Sequence, residues 1–261
     1  MARSLAVAGL IGLAMSLCAQ RVPPAGADTS KLAKEDVPLQ TKTSLRGKNK
    51  LCCGYPLVPD QQWALRFYWL SRETDYEDLV SVNIVPRTPR GGACTVPANR
   101  WVELYTLDGF FFGRVPERYA CSLKLEGSGL LADGRVVNYT GPCKFGYGTC
   151  FAQLDITDFP FGRGAGQRPL IPFKSVAVDP RVVRLGEPLY VPEFDGMPLP
   201  DGSIHDGCVR ADDTGGGIKG RKLDFFVVTY GNFRNLLDWL LGVSWITPHV
   251  EAPRCDYLRD L

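Results

Sequence analysis

Hydrophobic and polar positions change rhythm three times along the chain. Leu5 to Leu17 form an apolar run broken only by small residues, with Arg3 before it and Ala25-Gly26-Ala27 after it. Such a run is shorter than the roughly 20 apolar residues of a comfortable membrane span, and its flanks have the order of an export signal. Segment 1–27 is therefore predicted to be a signal peptide cleaved after Ala27. Lipidation of Cys18 is the alternative; Leu17 argues against it, because the position before a lipid-modified cysteine normally holds a small residue. Residues 28 to about 50 are polar and charged with isolated apolar residues, which predicts a flexible leader over 28–55.

From Trp63 the rhythm shortens into runs rich in β-branched and aromatic residues, separated by turn residues. Strands are predicted at 65–70, 79–85, 101–107, 135–139, 175–178, 188–191, 207–211 and 223–229, the texture of an all-β barrel or sandwich. One stretch, Phe233 to Val243, carries Leu236, Leu237, Leu240 and Leu241 at helical spacing and predicts a helix docked on the β body. The expected organisation is a β-rich body over 56–231 and a C-terminal helix and tail over 232–261. No internal repeat is visible.

The chain has 261 residues and a formal net charge of +2, with nine cysteines and two histidines. That charge gives no concentrated basic face, so a nucleic-acid partner is excluded. Removal of residues 1–27 takes away Arg3, Arg21 and Cys18, leaving a neutral body with eight cysteines. An even set in an exported protein reads as a disulfide framework, with Cys143–Cys150 as the first local bridge to expect. The adjacent Cys52 and Cys53 are expected to take different partners. His205 and His249 stand far apart without zinc-type spacing around them, so they are expected to be surface or locally bonded, and no metal or cofactor is expected.

The densest chemistry lies in Ala211-Asp212-Asp213-Thr214-Gly215-Gly216-Gly217-Ile218-Lys219-Gly220. A strand runs into two carboxylates, a hydroxyl and three glycines that let a ligand approach the backbone. A phosphate loop is excluded because Lys219 is followed by Gly220 rather than Ser or Thr, and a calcium loop because the alternating acidic positions are missing. Asp224 follows inside an apolar strand, and Asp179 ends another strand at an Asp-Pro step. A carboxylate in an apolar strand is either held by hydrogen bonds or placed for chemistry.

The stretches S-V-A-V-D-P-R-V-V-R-L-G-E-P-L-Y-V-P (175–192), A-D-D-T-G-G-G-I-K-G (211–220) and L-D-F-F (223–226) together resemble the Asp-Asp-Asp, or 3D, domain, with R-F-Y-W-L (66–70) similar to its aromatic first strand. The resemblance is specific over about 170–228 and looser back to about residue 60. It implies a six-stranded double-psi β-barrel, here with a β-rich N-terminal elaboration, and a groove for peptidoglycan glycan strands. It also implies lytic transglycosylation, which cleaves the β-1,4 bond from N-acetylmuramic acid to N-acetylglucosamine and leaves a 1,6-anhydro end.

On that template Asp213 is expected to be the general acid, with Asp179 and Asp224 as the like-charged neighbours that raise its pKa. Thr214, Gly215, Gly216, Lys219 and Tyr68 are expected to bind substrate, and Trp63, Trp69, Trp101 and Tyr105 to offer further stacking surfaces. The segment between Val191 and Cys208 is longer than compact family members require, and it is expected to form a lid or a disulfide-held loop. The expected location is the periplasm or cell envelope, with membrane contact only if Cys18 is lipidated. The competing function class is a wall-binding, expansin-like barrel that does not cut, which an exposed and unpaired Asp213 would favour.

Overall fold

The structure, a computed structural model, describes residues 52–77, 99–240 and 243–261. The predicted signal, nearly all of the leader and the predicted strand at 79–85 lie outside the described residues. The described chain is mainly β. In chain order it comprises β1 (Tyr55–Pro56), β2 (Trp63–Tyr68), β3 (Ser71–Arg72), α1 (Thr74–Glu77), β4 (Trp101–Tyr105), β5 (Phe111–Pro116), α2 (Glu117–Glu126), β6 (Ser128–Leu130), β7 (Val136–Pro142) and β8 (Thr149–Leu154). Then follow β9 (Ser175–Ala177), β10 (Pro188–Pro198), β11 (Ile204–Asp213), β12 (Lys222–Phe226), α3 (Tyr230–Leu240), β13 (Trp245–Ile246), β14 (His249–Val250) and a 3-10 segment over Pro253–Arg259.

The strands form two sheets. One has the order β1-β14-β10-β11-β9-β12-β2-β13, the other β3-β6-β7-β8-β4-β5. The first sheet is mixed: β9 pairs parallel with β11 and antiparallel with β12, and β12 pairs parallel with β2. Its interior is an apolar cluster that includes Trp63, Val176, Val178, Leu189, Phe194, Val209, Leu223 and Phe225, closed by Leu236 and Leu240 of α3. A second cluster (Leu104, Tyr119, Leu123, Val137, Phe151) fills the space between α2 and the second sheet. A smaller third one, Tyr68, Leu70, Leu170, Ala177 and Phe226 with Leu130 packed against it, joins the two.

Helix α3 begins three residues before its predicted start and ends at Leu240. It buries Leu236 and Leu240, while Leu237 is 39% exposed. Phe233 lies against Phe67 and Trp69, with ring centroids 5.2 and 5.8 Å apart. Helix α2 is a correction to the sequence reading, which found a single helix. It is short, but Tyr119, Ala120 and Leu123 share its buried face and Gly127 ends it in the left-handed region at φ 84°. Of the two expectations for the segment between Val191 and Cys208, the disulfide-held form is the one found, built as a long antiparallel hairpin of β10 and β11 rather than a loop. Cys208 at its base is bonded to Cys255, and Cys143 is bonded to Cys150 as the spacing suggested. Cys52 and Cys121 are also disulfide-bonded.

Candidate functional site

Strand β12 alternates. Leu223 and Phe225 enter the main core, which turns Asp224 and Phe226 to the opposite face. There Asp224 stands beside Arg66 of β2 and Ala177 of β9, and Phe226 beside Tyr68. Ala177 is also the partner of Asp213 at the end of β11. The two carboxylates therefore flank one small residue across three neighbouring strands, with backbones about 10 Å apart by ordinary strand spacing. The residue between them is small and buried, packed with Tyr68, Leu70, Leu170 and Phe226.

The two carboxyls differ in support. Asp213 Oδ1 accepts the backbone N–H of Ala165 at 2.9 Å and that of Thr214 at 2.8 Å. Burial raises its pKa, these two donors oppose the rise, and the charge of Asp212 adds to it. Asp224 Oδ1 is buried and has no hydrogen-bond partner among the described residues. Its pKa is pushed up to about 7, first by burial and then by the charge of Asp213, with Arg66 pulling the other way. A carboxyl without donors keeps its proton; one with two donors gives it up more readily.

Two further groups lie within the field of these carboxyls. Tyr68 is buried, its hydroxyl has no partner among the described residues, and burial together with Asp213 and Asp224 holds that hydroxyl protonated. Glu126, the last residue of α2, accepts the backbone N–H of Trp69 at 3.2 Å. Burial and then the charge of Asp224 raise its carboxyl well above the usual range, so it presents a neutral acid to the cluster. Sequence reasoning missed Glu126 because it missed α2.

Other expected residues sit elsewhere in the arrangement. Asp179 is not a charge that raises the pKa of Asp213. Its buried carboxylate accepts Arg181 Nε at 3.0 Å, Arg181 Nη2 at 2.7 Å and the N–H of Gly220 at 2.8 Å. Those donors hold its pKa far below the usual value and make it the anchor of the Gly215–Gly220 loop. Asp212 is fully buried, with Oδ1 2.6 Å from Arg210 Nε and Oδ2 2.5 Å from Ser175 Oγ. Gly216, Gly217 and Lys219 are exposed on the loop rim, and Thr214 and Gly215 are part-buried. Tyr68 is too deep to offer a face to a sugar ring, and Trp63 and Trp69 are likewise core residues; Trp101 is 50% exposed on β4.

Both histidines are locally bonded: His205 is buried, its Nε2 2.7 Å from the carbonyl of Phe173, and His249 Nδ1 is 3.0 Å from the carbonyl of Cys53. Among the described residues no group of His, Cys, Asp or Glu is arranged to hold a metal ion, and no helix is long and apolar enough to cross a membrane.

A carboxyl neutral near pH 7, a second carboxylate within electrostatic reach and a glycine loop on one rim form an acid–base pair of the kind that works on bridging oxygens. The pair falls inside a segment that known proteins share. Residues 174–236 match the 3D domain. Among solved structures the chain is similar to E. coli MltA with bound chitohexaose, at 13% identity and a TM-score of 0.40, over 63% of this chain and 64% of that one. It is also similar to MltA from Neisseria gonorrhoeae (18% identity, TM-score 0.39, 54% of this chain and 47% of that one). The lytic transglycosylase LtgG of Burkholderia pseudomallei is a third (23% identity, TM-score 0.31, 52% of this chain and 53% of that one). The chain spans between about half and just under two thirds of the length of these structures. No curated protein sequence matches it.

Proposed function

We propose that this protein is a lytic transglycosylase of peptidoglycan glycan strands, with Asp224 rather than Asp213 as the group that moves the proton. The observation that carries this reading is the carboxyl of Asp224: pKa near 7, Oδ1 buried without a donor, and Asp213 placed across Ala177. A protonated Asp224 delivers its proton to the bridging oxygen as the bond from C1 of N-acetylmuramic acid breaks. The resulting carboxylate takes the proton of the C6 hydroxyl, whose oxygen closes on C1 to form the 1,6-anhydro ring. Proton count is restored at Asp224 and no water is consumed.

Asp213, with its two backbone donors, supplies the negative charge that faces the positive charge developing on the sugar ring. Lys219 and the Thr214–Gly217 loop hold substrate oxygens on the rim. A double-psi arrangement of the first sheet fits the parallel pairings of β9 with β11 and of β2 with β12. The disulfides favour an oxidising compartment, the periplasm or cell envelope. The non-cutting alternative wants Asp213 exposed and unpaired, whereas its carboxylate is part-buried and bonded to Ala165 and Thr214.

The test is digestion of purified sacculi, with products read by mass spectrometry. The wild-type protein is expected to release anhydromuropeptides, and Asp224→Asn to lose roughly 10²–10⁴-fold of that activity, the usual weight of a general acid. Asp213→Asn is expected to retain more activity and to move the alkaline limb of the pH profile downward, because the charge that raises the pKa of Asp224 is gone. Sacculi bound but left intact by the wild type, or an Asp224→Asn protein of undiminished activity, would refute the reading.

A further inference from the structure

Near the strand end that carries Asp213 lies a cationic cavity of about 190 Å³, lined by Arg168, Arg184, Leu185, Gly186, Glu187 and Arg259. Both of its walls are tied to the strand end that carries the acids. On one side, the turn from Gly164 to Arg168 is closed by the Gly164 N–H on the Arg168 carbonyl and the Gln167 N–H on the Gly164 carbonyl. That turn aims the Ala165 N–H at Asp213 Oδ1 and the Gly166 N–H at the Asp212 carbonyl, 3.0 Å away. On the other side, the Gly186 N–H donates to the Ala211 carbonyl at 2.7 Å and the Ala211 N–H to the Glu187 carbonyl at 3.0 Å. The cavity is thus fixed to residues 211–213 from two directions.

The charges in it are unequally used. Arg259 is neutralised by Glu187 Oε1 at 2.9 Å and by Asp256 Oδ1 at 3.3 Å. Arg168 and Arg184 have no ion pair among the described residues; Arg168 reaches the carbonyl of Arg259 from Nη1 at 3.5 Å, and its charge acts at longer range on the Asp212 carboxylate. Two guanidinium groups facing one concavity repel each other unless an anion joins them, and guanidinium suits planar oxyanions. Glu187 in the same wall weighs against a dianion, and Leu185 offers a patch of apolar surface. A monoanionic carboxylate with a short aliphatic group fits this set better than a phosphate.

We propose that this cavity is a subsite for a carboxylate of the peptide that peptidoglycan carries on its muramyl residues, next to the glycan bond that Asp224 and Asp213 address. The inference rests on the proposed function for the identity of the ligand, and not for the existence of the site. On a glycan strand the peptide is joined to the same sugar whose C1 is cleaved, so a strand seated over Asp224 carries a carboxylate to a neighbouring position. The two arginines then select strands that bear peptides over bare ones.

The experiment titrates the purified Asp224→Asn protein, whose turnover is expected to be strongly reduced, with a free-acid stem tetrapeptide, with its fully amidated counterpart and with inorganic phosphate. The free acid is expected to bind, and amidation or the double substitution Arg168→Gln/Arg184→Gln to weaken it by about tenfold or more, the worth of a hydrogen-bonded charge pair. Phosphate is expected to bind more weakly than the peptide. Equal binding of acid and amide, undiminished binding by the double variant with its melting temperature retained, or phosphate outcompeting the peptide would each overturn the proposal.

A second arm compares turnover on intact sacculi with turnover on sacculi stripped of peptide by an amidase. The ratio is expected to exceed one and to drop in the double variant made on the active protein; an unchanged ratio counts against the subsite. Failure to cleave either substrate would sink the proposed function instead, and the peptide titration would still decide the cavity.

Discussion

Replacing Asp224 by Asn should stabilise the fold, and only above a definite pH. In the folded protein the carboxyl titrates near 7, against 3.8 when solvated. Ionising it in place therefore costs about 4 kcal/mol more than ionising it in the unfolded chain. Below pH 4 both states hold the proton and the substitution changes little. As pH rises from 4 to 7 the unfolded chain gives up its proton while the folded one retains it, so the wild type loses stability steadily. Above pH 7 the loss is complete, and Asn, which has nothing to ionise, avoids it.

The magnitude is an upper value, since Asn replaces one unsatisfied polar atom with another. At pH 8 the variant should gain up to about 4 kcal/mol, or roughly 10 °C in melting temperature for a body of this size. Urea and thermal unfolding of both proteins between pH 3.5 and 8.5 measure it, with the disulfides kept intact. A difference that is flat across that range would refute the assignment of a raised pKa to Asp224. A difference growing as pH falls would place the perturbed proton on another group.

Two further outcomes follow from burial and from chain topology. Asp212→Ala leaves Arg210 buried without its carboxylate and should cost about 3–5 kcal/mol, read from urea midpoints, whereas a surface aspartate such as Asp256 replaced by Ala should cost less than 1 kcal/mol. Breaking Cys208–Cys255, whose partners are 47 residues apart, should cost about 4 kcal/mol, against about 2.5 kcal/mol for Cys143–Cys150 with a separation of seven. Paired Cys→Ser variants compared by chemical unfolding give the order, and a larger loss from the shorter loop would contradict it.

Much of the first sheet is legible because its strands announce themselves: Val176 and Ala177 in one and Leu223, Phe225 and Phe226 in another are apolar, and turn residues bound both strands. The aspartates are legible as a group for the same reason, since a carboxylate in such a strand needs an explanation. What each one does is not, because that depends on pairing across strands. Nothing in the local sequence says that Ala177 separates Asp213 from Asp224, or that Arg181 and Gly220 occupy Asp179. Ala165 contributes only a backbone N–H, which any residue but proline offers. Helix α2 did leave a trace, Pro116 before it and Gly127 after it, but ten residues whose buried face carries only three apolar side chains, Tyr119, Ala120 and Leu123, are too few to stand out.

The parallel pairing of β12 with β2 also fixes when the protein becomes competent. Asp224 owes its environment to Arg66 and Tyr68, which lie near the other end of the described chain. A nascent or translocating polypeptide delivers those residues well before the acid, with the whole second sheet made in between. A contact of such long range closes late in folding, after the loop entropy of everything between has been overcome. Until β2 and β12 meet, Asp224 is an ordinary solvated carboxylate with an ordinary pKa. The chemistry is therefore silent in partial products that lack this pairing, and it switches on when β2 and β12 meet rather than with the emergence of the motif.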